Sequence, residues 1–293
     1  MTDYLGYFAV NGVVIGSIYA LIALGFNVIY STTGIINFAQ GEFVMVGGIA
    51  AAWSHELFVR VPFLASHHLA LPAAILAGIV LAGVIGLLSY SLGLRPARGA
   101  SPVTYIIITI ALSMIIKSLA SFAWGTEPYT LHKIVEGGAR IGAGVIDGHS
   151  LMVIPVAAAC MGLLVLIFRM TRIGLNMRAC ADNREGARLC GISVERSGLA
   201  AFGLSAALAG VGGVMVTPIL SMQFDGGTMI GLKGFSAAIL GGLGNPVGCV
   251  AGGLLVGLIE QFICYFSSGY KDILALMIVV VILLLRPRGL LSK

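Results

Sequence analysis

Charge is scarce in this chain. Asp, Glu, Lys and Arg make up 10% of its 293 residues, against roughly 25% in a soluble domain. A chain so poor in charge cannot cover itself with polar surface in water, which excludes an ordinary soluble fold. Nucleotide-binding and catalytic signatures are missing too. No G-x-x-x-x-G-K-[ST] segment occurs, so the chain has no P-loop of its own. His55-Glu56 opens an H-E-x-x-H pattern, but Val59 fills the second ligand position. No metal site is therefore expected, and no catalytic residue. Cys160, Cys180, Cys190, Cys249 and Cys264 form no C-x-x-C pair and are expected as free thiols. Residues 1–7 hold Asp3 but no Lys or Arg. The basic region of a cleavable signal is thus missing, and the first apolar stretch is expected to remain as a span.

What is present is apolar. Hydrophobic residues reach 58%, and mean hydropathy is +1.02. Glycine is frequent at 41 residues, which suits a membrane bundle whose helices approach closely over small side chains. A span needs about 20 apolar residues, fewer where it is broken. Long candidates lie at 8–30, 69–94, 103–123, 150–169, 198–217, 247–266 and 270–286, with shorter ones at 41–53 and 229–243. The expected fold is all-α, a polytopic bundle of eight or nine spans with two short or broken helices. The connections are a His-bearing loop at 54–68, a basic turn at 95–102, a polar loop at 124–149 and a charged loop at 170–197.

Basic residues cluster in cytoplasmic loops, and the net charge of +5 is read that way rather than as a nucleic-acid surface. Arg95 and Arg98 lie in the basic turn. Arg169, Arg172, Arg178, Arg184, Arg188 and Arg196 lie in or beside the charged loop, and Arg286, Arg288 and Lys293 in the tail. Placing all three regions in the cytoplasm needs an even number of spans between them. That condition holds if both short segments cross, and it puts the N-terminus outside. The chain is read as one permease domain, 1–293. Within it, halves 8–169 and 198–286 each begin long, short, long and run in opposite directions, an inverted-topology pattern. Gly12 and Gly16 share a face of the first span. Gly248 and Gly252 share one on the eighth, and both pairs suit close helix packing.

Three polar features interrupt the apolar runs. Asn37, Gln40, Gly41 and Glu42 cluster where the first short span begins. They fit either a pore-lining elbow, since polar groups at membrane depth face protein or a water path, or an interfacial loop with Glu42 at a helix N-terminus. Lys233 opens the second short span and either lines the path or snorkels to the interface. Lys117, near the outer part of the 103–123 run, reads the same way. In the charged loop, Asp182-Asn183-Arg184-Glu185 resembles a capping box with Asp182 as N-cap, and Gly191 supplies a stop. A short helix over 183–190 is expected, carrying Arg184, Glu185 and Arg188. It either docks into a partner or lies solvated at the interface.

Several segments together resemble the permeases of branched-chain amino acid ABC transporters. They are Gly34-Ile-Ile-Asn37-Phe-Ala-Gln-Gly41-Glu42, Arg178-Ala-Cys-Ala-Asp182 followed by Gly191-Ile192, the run Gly234 to Pro246, and the ending Arg286-Pro287-Arg288-Gly289-Leu290. Gln40 stands where His is frequent in that family, and Asn245 where Ser is frequent. The resemblance implies one of two related permease subunits in the bacterial inner membrane. Its partners would be a second permease, two ATP-binding subunits and a periplasmic binding protein. ATP and Mg would sit on the partners, with no cofactor on this chain. The 183–190 helix would pass ATP-driven movement to the spans, and urea, amide or other amino acid importers share nearly the same elbow.

Overall fold

The computed structural model describes residues 2–97, 99–141, 144–266, 268–285 and 289–290. Arg98, Arg286, Pro287, Arg288 and Lys293 lie outside the described residues. The helices are α1 (Thr2–Thr33), α2 (Gln40–Phe58), α3 (Pro62–Ser66), α4 (Ala70–Leu88, running on as a π-helical turn over Ser89–Leu94), α5 (Pro102–Trp124), α6 (Gly148–Met170), α7 (Arg172–Asp182), α8 (Arg184–Leu189), α9 (Val194–Leu220), α10 (Gly226–Gly241), α11 (Pro246–Phe266) and α12 (Lys271–Leu285). Each expected span overlaps a helix, although 69–94 starts one residue before α4, 229–243 runs two residues past α10, and 270–286 starts one residue before α12. Among the described residues, six helices are long and apolar enough to cross a membrane: α1, α4, α5, α6, α9 and α11. Helices α2, α10 and α12 are shorter or more polar, at 19, 16 and 15 residues.

Two connections differ from expectation. The 124–149 segment holds an antiparallel hairpin, β1 (Gly138–Ile141) with β2 (Gly144–Asp147). Its start is tied to the end of α9 by a Tyr129–Met222 bridge. The 170–197 segment is mostly helical rather than a loop. Its α7 buries Gly174, Met177 and Cys180, spaced so that all three share one helix face.

Close packing is set by small residues. Helix α1 lies at the centre, against α11, α9, α10 and α6. A Cβ at Gly12 would stand 2.9 Å from the Cα of Leu258, and one at Gly16 would stand 2.8 Å from that of Leu254, both on α11. Gly248 and Gly252 lie against α10, at Gly241 and Ala237. Helix α4 buries Ala70, Ala74, Gly78, Ala82 and Gly86 at a repeat of four and packs this stripe on α2 and α9. Its other faces expose Leu76, Val80 and Val84, as lipid-facing surface requires. Helix α12 turns Ala275 and Val279 inward and exposes Ile273, Met277, Val280 and Leu284.

Candidate functional site

The elbow between α1 and α2 turns back into the bundle. Gly34 takes a left-handed φ of +63°, which lets the chain reverse after α1 without a Cβ clash. Gln40, the first residue of α2, then lies beside Gly25. Gly25 is eight residues before the end of α1, about 12 Å along the helix at 1.5 Å per residue. Helix α2 therefore begins at depth and not at the surface. The Gln40 side chain is fully buried. Its Oε1 accepts from Ser205 Oγ at 2.9 Å and its Nε2 donates to the Ser205 carbonyl at 3.3 Å. Asn37 holds the turn, its Oδ1 accepting from the Ala39 N–H at 3.1 Å.

Helix α10 begins at the same place. Gly41 packs backbone to backbone on Gly227 and Gly231, so the first turns of α2 and α10 touch. Glu42, 1% exposed, lies in the first turn of α2, where the helix dipole favours its charge. Its Oε1 accepts from Thr228 Oγ1 of α10 at 2.9 Å and from Ser113 Oγ of α5 at 3.1 Å. Its Oε2 is buried and has no hydrogen-bond partner, and the same holds for Asn37 Nδ2. The two hydroxyls form part of the wall of a cavity of about 320 Å³, together with Phe26, Phe38, Phe235 and Lys117.

Lys233 stands apart from this group. It lies on the far side of α10, bonded to Glu260 at 2.9 Å and Asp272 at 2.7 Å. Tyr19 Oη donates to the other Glu260 oxygen at 2.7 Å. The network ties α1, α10, α11 and α12 together. Of the five elbow and path candidates, the structure brings Asn37, Gln40, Gly41 and Glu42 to one place and sets Lys233 in another.

In the connecting segment the N-cap is shifted by one residue. Asp182 is the last residue of α7, while Asn183 is extended (φ −156°, ψ 109°) and its Oδ1 accepts from the Gly186 N–H at 2.9 Å. An N-cap needs a non-helical backbone, and Asp182 does not have one. Gly191, at φ +79°, ends α8. The Gly191 N–H donates to the Arg188 carbonyl at 3.0 Å and that of Ile192 to Ala187 at 2.9 Å, a Schellman stop. Arg184 does not simply point outward. Its guanidinium lies against Gly34, where a Cβ would stand 2.8 Å from Nη2. Arg184 and Arg188 also line a small cavity with Thr33 and Ile35 of the elbow. Leu189, at the end of α8, is 90% exposed.

Ser113, Thr228, Ser205 and the Gly34–Arg184 contact escaped the sequence reading. A Ser within an apolar run, one turn before Lys117, was the available signal for the first, but Ser118 and Ser121 in the same run offered the same signal. The others depend on tertiary contact.

Long apolar helices packed with two short ones that start at depth, beside a cavity with aromatic residues and a few polar groups in its lining, define a multi-pass membrane permease. Residues 8–283 match the family described as "Branched-chain amino acid transport system / permease component". The chain is 31% identical to the high-affinity branched-chain amino acid transport system permease protein LivH of Salmonella typhi, covering 97% of this chain and 94% of that one. It is equally 31% identical to the corresponding protein BraD of Pseudomonas aeruginosa, again covering 97% and 94%. Among solved structures, "PsaBC from Streptococcus pneumoniae in complex with Fab" covers 97% of this chain and 91% of its own, at 13% identity and a TM-score of 0.46. The chain belongs to the branched-chain amino acid transport permease family.

Proposed function

We propose that this chain is one of two permease subunits of an ATP-driven importer that carries leucine, isoleucine and valine across the bacterial inner membrane. Its partners are a second, related permease, two ATP-binding subunits that hold ATP and Mg, and a periplasmic binding protein. The N-terminus lies outside and the C-terminus in the cytoplasm. All nine apolar helices count as passes, with α2 and α10 completing theirs through the elbow and through the 221–225 turn. The observation that carries this reading is the family match over residues 8–283. The repeated arrangement of long helix, turn and short helix supports the inverted relation of the halves 8–169 and 198–286.

Helix α8 is the coupling element. Its cap at Asn183 and stop at Gly191 fix it as a rigid unit, and the exposed Leu189 with Glu185 presents a surface for the ATP-binding subunits. Arg184 faces the other way, onto Gly34. Movement of α8 thus reaches the elbow, and through Gln40 and Glu42 the first turns of α2 and α10. The test is uptake of radiolabelled leucine into vesicles holding the assembled transporter and the binding protein. ATP-dependent accumulation that this chain's removal abolishes is expected. Uptake that persists without ATP would contradict the reading and favour a lone secondary transporter.

A further inference from the structure

The cavity where α2 and α10 meet has a chemistry of its own. One wall is aromatic, with Phe235 5.4 Å from Phe26 and 5.5 Å from Phe38, centroid to centroid. The other carries Ser113, Thr228 and Lys117. Each hydroxyl has one proton to donate and lone pairs to accept with. Both protons are committed to Glu42, so toward the cavity these two groups offer acceptors only. The carboxylate behind them, 1% exposed and with one oxygen unpartnered, makes them stronger acceptors in a medium of low dielectric. That arrangement selects a cationic N–H donor. One helical turn further along α5, Lys117 supplies a positive charge, its Nζ 6.0 Å from the centre of the Phe224 ring. A volume of about 320 Å³ is at the small end for ligand pockets, which run from about 300 to 1,000 Å³.

We infer that this cavity is a binding site within the permease for one small zwitterionic α-amino acid with an apolar side chain. The ammonium meets the Ser113 and Thr228 oxygens, the carboxylate meets Lys117, and the side chain lies on Phe26, Phe38 and Phe235. The inference rests on the import reading above and adds a residue-level site to it. Polar groups kept at membrane depth mark transport paths, and a site on such a path binds weakly enough to release its cargo.

The test uses the full chain in lipid nanodiscs with its membrane partner and no binding protein. Leucine binding is followed by saturation-transfer NMR, against leucinamide (no carboxylate) and 4-methylpentanoate (no ammonium). Leucine is expected to bind about tenfold better than either analogue, the loss of roughly one charge-assisted contact. Lys117→Met should remove the preference over leucinamide and keep that over 4-methylpentanoate. Joint Ser113→Ala and Thr228→Val changes should do the reverse. Lys117 is partly exposed, so its variant tests the idea even if the double variant at the half-buried Ser113 and the exposed Thr228 fails to fold. Leucine binding equal to that of leucinamide in the wild type, or unchanged by Lys117→Met, overturns the site. That result leaves the import reading intact if vesicles still accumulate leucine with ATP. Selective leucine binding without ATP-driven uptake would instead sustain the site and defeat the import reading.

Discussion

Gly41 and Gly162 both lie in helices, yet a methyl group would meet very different surroundings at each. At Gly41 it would run into the backbone of Gly227 and Gly231, whereas at Gly162 nothing lies within 4 Å. Gly41→Ala should therefore destabilise by about 1–3 kcal/mol, the usual cost of overpacking. Gly162→Ala should be neutral or stabilise by up to about 1 kcal/mol from helix propensity. Thermal unfolding of the purified protein in detergent measures both, and a greater loss at Gly162 would show that the packing described here is wrong. Lys233 gives a second expectation. Its loss in Lys233→Met leaves the buried Glu260 facing Asp272 without a cation, at a cost of about 3–5 kcal/mol. Adding Glu260→Gln should recover part of that loss. If the double variant melts lower than the single one, the ion pair is not what holds α10 to α11. The sequence marked Glu42 and Lys233 alike as charges in apolar runs. It did not separate a charge beside a cavity from one locked in a network, because partners 27 and 39 residues away leave no local trace.

Short elements follow local chemistry closely. Asn183 and Gly191 bound α8 through side-chain and backbone hydrogen bonds visible as a sequence pattern, and the residual error was one position at the cap. Asn183→Ala should cost about 1 kcal/mol, read as faster amide exchange over 184–189 with the long helices unchanged. Unaltered exchange there would mean that packing, not the cap, holds α8. Helix α7 was masked by its charges. Arg172, Arg178 and Asp182 suggested a loop, while the spacing of Gly174, Met177 and Cys180 carried the helical signal. The depth at which α2 and α10 begin was beyond hydropathy altogether. It depends on a left-handed Gly34 and on glycine-to-glycine contact between helices far apart in sequence, whereas length marks such segments only as short or broken.

At the scale of the whole molecule, the placement of arginines sets the expected orientation. Reporters in the 124–149 loop should label from the periplasm, and reporters at 178–188 should be protected in intact cells. Labelling of both from one side would refute the orientation and the count of passes together. The central claim is that α8 moves the elbow through Arg184 seated on Gly34. ATP-driven leucine uptake by Arg184→Ala tests it most directly, measured beside ATP hydrolysis in the same vesicles. Truncation leaves the exposed Leu189 in place, so on the proposed coupling the ATP-binding subunits should still assemble and hydrolyse ATP. Uptake should fall at least about tenfold, as expected for loss of roughly 1.4 kcal/mol of coupling. Uptake at the wild-type rate with hydrolysis unchanged would show that movement reaches the cavity by another route.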